Sequence, residues 1–288
     1  MDIIPQIIIN SIIAGAIYTI IALGFNLIYS TVKFFDIGYG VLMTVGSYVV
    51  FLLFKKLGFD FYLSILFGII TSGVIGYLIY KIVYYPLRGR KASNMVLLIA
   101  SLGVFIVIQA IIAILFTSQF QTLTLSSGVQ KIYEIFGAFI TQTQVVIFIT
   151  AFVLVLVVAL ILKKTMLGKM IKAIGDNEDV SKIVGIDTKK IIGYVFLIGS
   201  SIAGVAGILV GLDTGIEPTM GMSLLLKGVV ATIIGGIGNI YGAILGGFFL
   251  GFVENFGIWQ ISGEWKEAIA FAILIIFLIF RPQGILRK

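Results

Sequence analysis

Long apolar runs separated by short polar breaks dominate this chain. They fall at about 3–29, 37–54, 61–83, 95–117, 144–162, 191–212, 224–254 and 266–280. A helix needs roughly 20 apolar residues to cross the hydrocarbon core of a bilayer, so the pattern predicts about eight membrane-embedded helical segments. Lipid offers the backbone only helices or closed barrels, and the apolar–polar alternation of a barrel strand is absent here. The fold class read from this pattern is an all-α polytopic integral membrane protein, with 1–288 as a single transmembrane domain. The first run opens without a basic segment ahead of it and is too long for a signal-peptide core, so it is expected to remain as a helix.

The polar breaks orient the runs. Lys81, Arg88, Arg90 and Lys91 share one break, and Arg281, Arg287 and Lys288 end the chain. A third basic segment, 163–190, reads KKTMLGKMIKAIGDNEDVSKIVGIDTKK and carries seven lysines against four acids. These three are expected on the cytoplasmic side. Segments 118–143 and 213–223 are poor in Lys and Arg and are expected outside, the first as a small ordered element with a strand-like, Thr-rich start. Counting crossings then places both ends of 224–254 outside and the N-terminus outside. That run must enter the membrane and return, and Gly235-Gly236-Ile237-Gly238-Asn239 is the natural break, in a re-entrant pair or a tilted hairpin.

Composition sharpens the class. The apolar share is 60%, only 11% of residues are charged, and the mean hydropathy is +1.17. The chain has no Cys and no His, which removes thiolate and imidazole catalysis and the usual zinc ligands. No cofactor and no metal site is expected. The net charge of +7 lies mostly in short loops, so it reads as topology, with the bilayer rather than nucleic acid as the partner.

Within 163–190, Asp176 or Asn177 can cap a helix, with Glu178 and Asp179 in a first turn where the macrodipole favours acids. Val180, Ile183 and Val184 follow as one apolar stripe, and Gly185 suits the position that stops the helix. Two readings stay open for it: an interfacial helix on lipid headgroups, or a docking element for a soluble partner.

Gly238, Gly242 and Gly246 recur every fourth residue, as do Gly247 with Gly251 and Ala203 with Gly207 and Gly211. Such spacing suits close helix packing. The break Gly235–Asn239 reads otherwise, because unwound backbone at membrane depth belongs inside protein or along a cavity. A second break, Phe34 to Gly40, follows Asn26. Asn26, Asp36, Gly38, Gly40, Lys227, Gly235, Gly236, Gly238 and Asn239 are therefore candidates for a translocation path. Lys227 and Glu254 lie close enough to run ends to reach the interface by snorkelling. Gly168-Lys169 falls short of a phosphate-binding loop, since Lys163 holds the first glycine position and Met170 the place of Ser or Thr.

In order and spacing, several segments resemble a known family, the LivH/LivM-type permease subunits of ABC importers for branched-chain amino acids. They are Pro86-Leu87-Arg88-Gly89 with Leu97 to Gly103, Gly168 to Ala173 through Gly185-Ile186-Asp187, and Ala203 to Gly207. Lys227-Gly228, Gly235 to Asn239, Gly242-Ala243, Leu245 to Gly247 and Phe280-Arg281-Pro282-Gln283-Gly284 complete the set. The resemblance covers nearly the whole chain. It implies a second homologous permease subunit (as a homo- or heterodimer), two cytoplasmic ATP-binding subunits, and an extracytoplasmic solute-binding protein. It also implies a bacterial or archaeal cell membrane and ATP hydrolysis in the partners rather than in this chain. The docking segment would comprise Lys172, Ala173, Gly175, Asp176, Asn177, Val180, Ile183, Gly185, Ile186 and Asp187. One departure bears on the solute: Asp36 and Tyr39 stand where the family shows Asn and His. The competing reading is an ion-coupled secondary transporter of small amphipathic solutes working through Asp36, Glu217 or Glu254. An intramembrane enzyme lacks the residues it would need.

Overall fold

The computed structural model describes residues 3–123, 132–135, 137–281 and 283–286. Twelve α-helices follow in order among them: α1 (Ile3–Val32), α2 (Gly38–Val50), α3 (Phe61–Ile79), α4 (Tyr85–Gly89), α5 (Asn94–Phe116), α6 (Gln142–Lys164), α7 (Met166–Asp176), α8 (Glu178–Ile183), α9 (Thr188–Asp213), α10 (Met220–Gly235), α11 (Ile240–Gln260) and α12 (Lys266–Phe280). Wider π-helical turns extend α2 through Lys56 and join α3 to α4. Seven helical stretches among the described residues are long and apolar enough to cross a membrane, by length and composition. The predicted break in the Gly-rich run is present between α10 and α11, with Gly236 at φ +108° and Gly238 at φ +85°. Backbone in that left-handed region favours glycine.

The chain divides into two compact units, Met1–Asn26 with Thr124–Val155 and Leu226–Lys288, and Leu27–Leu123 with Leu156–Leu225. In the second unit α2, α3 and α9 pack through small residues. A methyl group on Gly46 would come within 2.8 Å of both the Gly204 Cα and the Ser72 Oγ, and one on Gly207 would run into the Met43 carbonyl. In the first unit α11 lies on α1 in the same manner, Gly247 against Thr19 and Gly251 against Gly15, while Gly242 and Gly246 abut the Gly235 and Ala231 carbonyls of α10. Tyr18, Leu23, Ile234 and Leu250 are buried in the apolar core beside them. The expected close packing is present, with one correction. Gly238 is a turn residue, so the four-residue series enters the helix only at Gly242.

The element expected within 118–143 is an antiparallel hairpin of β1 (Ile132–Ile135) and β2 (Ala138–Thr141). It occupies the second half of that segment rather than its Thr-rich start. Residues 124–131 lie outside those described; ahead of them Gln121 pairs with Ile216 through two backbone hydrogen bonds of 2.9 and 2.8 Å.

Candidate functional site

In the second unit the 163–190 segment folds as two helices rather than one. Thr165 caps α7 by accepting the Gly168 N–H at 3.1 Å. The side facing the protein carries Gly168, Ile171, Ile174 and Gly175, all buried, with Gly175 set close against the Ser30 carbonyl. Of the two caps the sequence allowed for α8, Asn177 is the one used. Its Oδ1 accepts the Asp179 and Val180 N–H groups at 3.0 and 3.1 Å. Asp176 closes α7, and Lys172 and Asp176 are both exposed. Gly185, at φ +88°, ends α8, donating its N–H to Lys182 while Ile186 donates to Ser181. That is a Schellman closure. Asp187 then caps α9 through the Lys190 N–H, which holds its carboxyl below the usual carboxylate range.

Charge fixes α8 in place. Arg88, from the basic break after α4's Pro86, forms a hydrogen-bonded ion pair with Glu178 and also reaches the Val32 carbonyl at 3.4 Å. Lys182 pairs with Glu178 at 3.0 Å, and this hydrogen bond raises its ammonium above the ordinary lysine value. The apolar stripe faces the other way: Val180, Ile183 and Val184 are 54%, 85% and 73% exposed. A short helix is thus braced by Arg88 from one side and leaves three branched aliphatic side chains uncovered. In the sequence Arg88 reads as a topogenic charge and as part of the Pro86–Gly89 segment, with no partner indicated. Its pairing joins positions 90 residues apart, and no local pattern reports that.

The break between α10 and α11 lies in the first unit, and Asn26 is part of it. The Asn26 side chain accepts the Gly238 N–H at 2.6 Å and donates to the Asn239 carbonyl at 3.0 Å. Asn239 caps α11 through the Tyr241 and Gly242 N–H groups. Asn26, Gly235, Gly236, Gly238 and Asn239 therefore form one cluster. Asp36, Gly38 and Gly40 form another, in the second unit. The Asp36 carboxylate is buried, accepts the Tyr84 hydroxyl at 2.6 Å and is met by the Gly38 and Tyr39 N–H groups. Gly40 abuts the Gly221 carbonyl. In this conformation Asp36 closes the start of α2, with its oxygens engaged by the protein.

Lys227 is half-buried, whereas Glu254 packs into the protein. Glu254 is completely buried, with Oε2 accepting the Tyr18 hydroxyl at 2.5 Å and lying 3.7 Å from the Lys266 ammonium. Among the described residues its Oε1 has no hydrogen-bond partner. The Lys227 ammonium lies over the Tyr18 ring, 5.6 Å from its centroid. Lys227, Tyr18, Glu254 and Lys266 thus make a charge cluster drawn from α10, α1, α11 and α12, with Tyr18 and Glu254 buried and the two lysines half-buried.

The fold is that of an all-α polytopic membrane protein with a broken glycine-rich segment and a braced, exposed short helix. The family described as "Branched-chain amino acid transport system / permease component" matches residues 7–278, and the chain belongs to it. The high-affinity branched-chain amino acid transport permease BraD of Pseudomonas aeruginosa is 31% identical over 295 residues, covering 98% of this chain and 95% of the relative. The corresponding LivH protein of Escherichia coli is 31% identical over 291 residues, covering 97% and 94%. The solved structure of PsaBC from Streptococcus pneumoniae in complex with Fab superposes with a TM-score of 0.54 at 14% identity, covering 98% of this chain and 93% of that one. At that identity the likeness is one of fold. Membership in the family decides between the two transport readings: the chain is a permease subunit of an ATP-driven system rather than an ion-coupled carrier.

Proposed function

We propose that this permease carries branched-chain or chemically related small amino acids, and that α8 is where a cytoplasmic ATP-binding subunit docks. The observation that carries the docking reading is the uncovered stripe of Val180, Ile183 and Val184 on a helix held by Arg88. Apolar side chains left in water by a braced element are the usual mark of a protein interface. Motion of a docked subunit would pass to the membrane helices through the Arg88–Glu178 pair and through Gly175 on Ser30. The docking set is Lys172, Ala173, Gly175, Asp176, Asn177, Val180, Ile183, Gly185, Ile186 and Asp187, and ATP hydrolysis belongs to the partner.

The complete importer, in this reading, holds a second homologous permease (as a homo- or heterodimer), two ATP-binding subunits and an extracytoplasmic solute-binding protein, in the cell membrane of a bacterium or archaeon. The N-terminus lies outside and the C-terminus in the cytoplasm. The translocation path takes in Asn26, the Gly235, Gly236, Gly238 and Asn239 break, and Lys227. Asp36, Gly38 and Gly40, in the second unit, are the remaining candidates for that path. The hairpin of β1 and β2 belongs to the external face. The class of solute rests on the family and on the relatives named above. Uptake of a labelled amino-acid panel into proteoliposomes containing the whole complex tests it, and preference for a solute of another class would overturn it.

Docking has its own test. Ile183→Glu puts a charge into the stripe without touching the Asn177 cap or the Arg88 pair. The variant permease is expected to insert normally and lose its ATP-binding subunit on affinity purification. Undiminished co-purification would remove α8 from the interface.

A further inference from the structure

Two sequence motifs that stand more than 40 positions apart, Gly235 to Asn239 and Arg281 to Gly284, meet in the structure. The residues after α12 turn back, with the Gly284 N–H bonded to the Arg281 carbonyl at 3.0 Å. They then lie along the end of α10. Ile285 donates to the Ile234 carbonyl at 2.8 Å and Leu286 to the Gly235 carbonyl at 3.1 Å. A helix leaves its last carbonyls without partners; here a distant segment of chain supplies them. The fit is backbone on backbone. Gly284 takes φ +76°, and a methyl group there would sit 2.5 Å from both the Gly236 Cα and N. A methyl group on Gly236 would strike the Leu286 carbonyl. Each glycine is therefore needed for the other's neighbour to come close. From the other side the same turn is held by Asn26 through Gly238 and Asn239.

We propose that the C-terminal strap, Gly284 to Leu286, is a positioning element for transport: it sets the α10–α11 break in the geometry that ties solute passage to ATP hydrolysis. The proposal rests on the transport reading above. Four hydrogen bonds from two separate segments converge on one short turn, so the turn cannot swing without releasing the strap or Asn26. Docking of the ATP-binding subunit is assigned to α8, so in this proposal docking and ATP turnover do not depend on the strap.

Proline tests this role at the backbone, because it removes one N–H and fixes φ at that position. Leu286→Pro deletes the donor to Gly235, whereas Leu286→Ala keeps it. In proteoliposomes of the whole complex, Leu286→Pro is expected to cut uptake by about tenfold or more, the scale of loss that small misplacements cause, while ATP hydrolysis continues. Leu286→Ala is expected to match the parent. Gly284→Ala, which lifts the strap from Gly236, is expected to repeat the uncoupling if the proline variant fails to assemble. Wild-type behaviour of Leu286→Pro, or parallel loss of uptake and hydrolysis in either variant, would overturn the proposal. Amide exchange at Ile285 and Leu286 in the parent complex reads the strap independently. Slow exchange is expected, and rapid exchange would show it unseated. A parent complex that imports no amino acid but retains slow exchange would count against the transport reading and not against the strap's seating.

Discussion

Glu254 shows how a single charged side chain can be stabilised inside the protein. An isolated carboxylate in an apolar surrounding is costly, and Glu254 meets that cost with the Tyr18 hydroxyl and the Lys266 ammonium on Oε2. Its remaining oxygen, without a partner among the described residues, suits an ordered water or a proton. Removing one member of a buried charge set is far worse than removing a neutral hydrogen bond, at about 3–5 kcal/mol against about 1–3 kcal/mol. Glu254→Ala should therefore lower the melting temperature of the purified permease well below that of Tyr18→Phe. Equal melting of the two variants would show that the Glu254 charge carries no such weight. The sequence marks Glu254 as an ionisable residue near the end of an apolar run, close enough to reach the interface, and says nothing of its burial in the protein. Position along a run gives depth only approximately, and it gives no direction around the helix. The partners Tyr18 and Lys266 belong to α1 and α12, and that proximity is a tertiary fact.

At the scale of elements, most helices were legible because a bilayer imposes length and composition on them. The runs at about 61–83 and 191–212 correspond to α3 and α9, and the Gly-rich break fell where two glycines with positive φ lie. What escaped the sequence reading was α7. Its apolar positions, Ile171 and Ile174, alternate with Lys169 and Lys172, and the surrounding lysines drew attention to topology instead of amphipathicity. The division between α7 and α8 rests on Asn177, whose extended backbone (φ −155°, ψ 112°) ends one helix and caps the next. Asn177→Ala should cost about 1 kcal/mol of local stability. In a helix of six residues, too short to persist without its cap and Arg88, that loss should appear as faster amide exchange across Glu178–Ile183, with α7 unaffected. Unchanged exchange there would mean that the ion pair with Arg88 suffices alone.

For the whole molecule the decisive question is which way the chain faces, and the second unit supplies two independent ties. The basic break at Arg88 and the basic segment at Glu178 are joined by an ion pair, so those two loops share a side. The two lysine-poor loops are joined by the Gln121–Ile216 bridge, so they share a side as well. Helices α5 and α9, each long and apolar enough to cross a membrane, run from a basic loop to a lysine-poor one, so the two sides belong to opposite faces. The proposed orientation, by the positive-inside rule, has the basic face cytoplasmic. Helix α1 has 30 residues, about 45 Å at 1.5 Å per residue, enough to cross a membrane, and the proposed orientation puts its start outside. A fluorescent protein that folds only in the cytoplasm should therefore glow when fused after Lys288 and stay dark when fused ahead of Met1. A phosphatase that works only outside should give the reverse pattern and should also be active when inserted after Thr117, between α5 and β1. Fluorescence from the N-terminal fusion, with the permease still inserted, would invert the orientation. It would leave α8 on the face where no ATP-binding subunit could reach it.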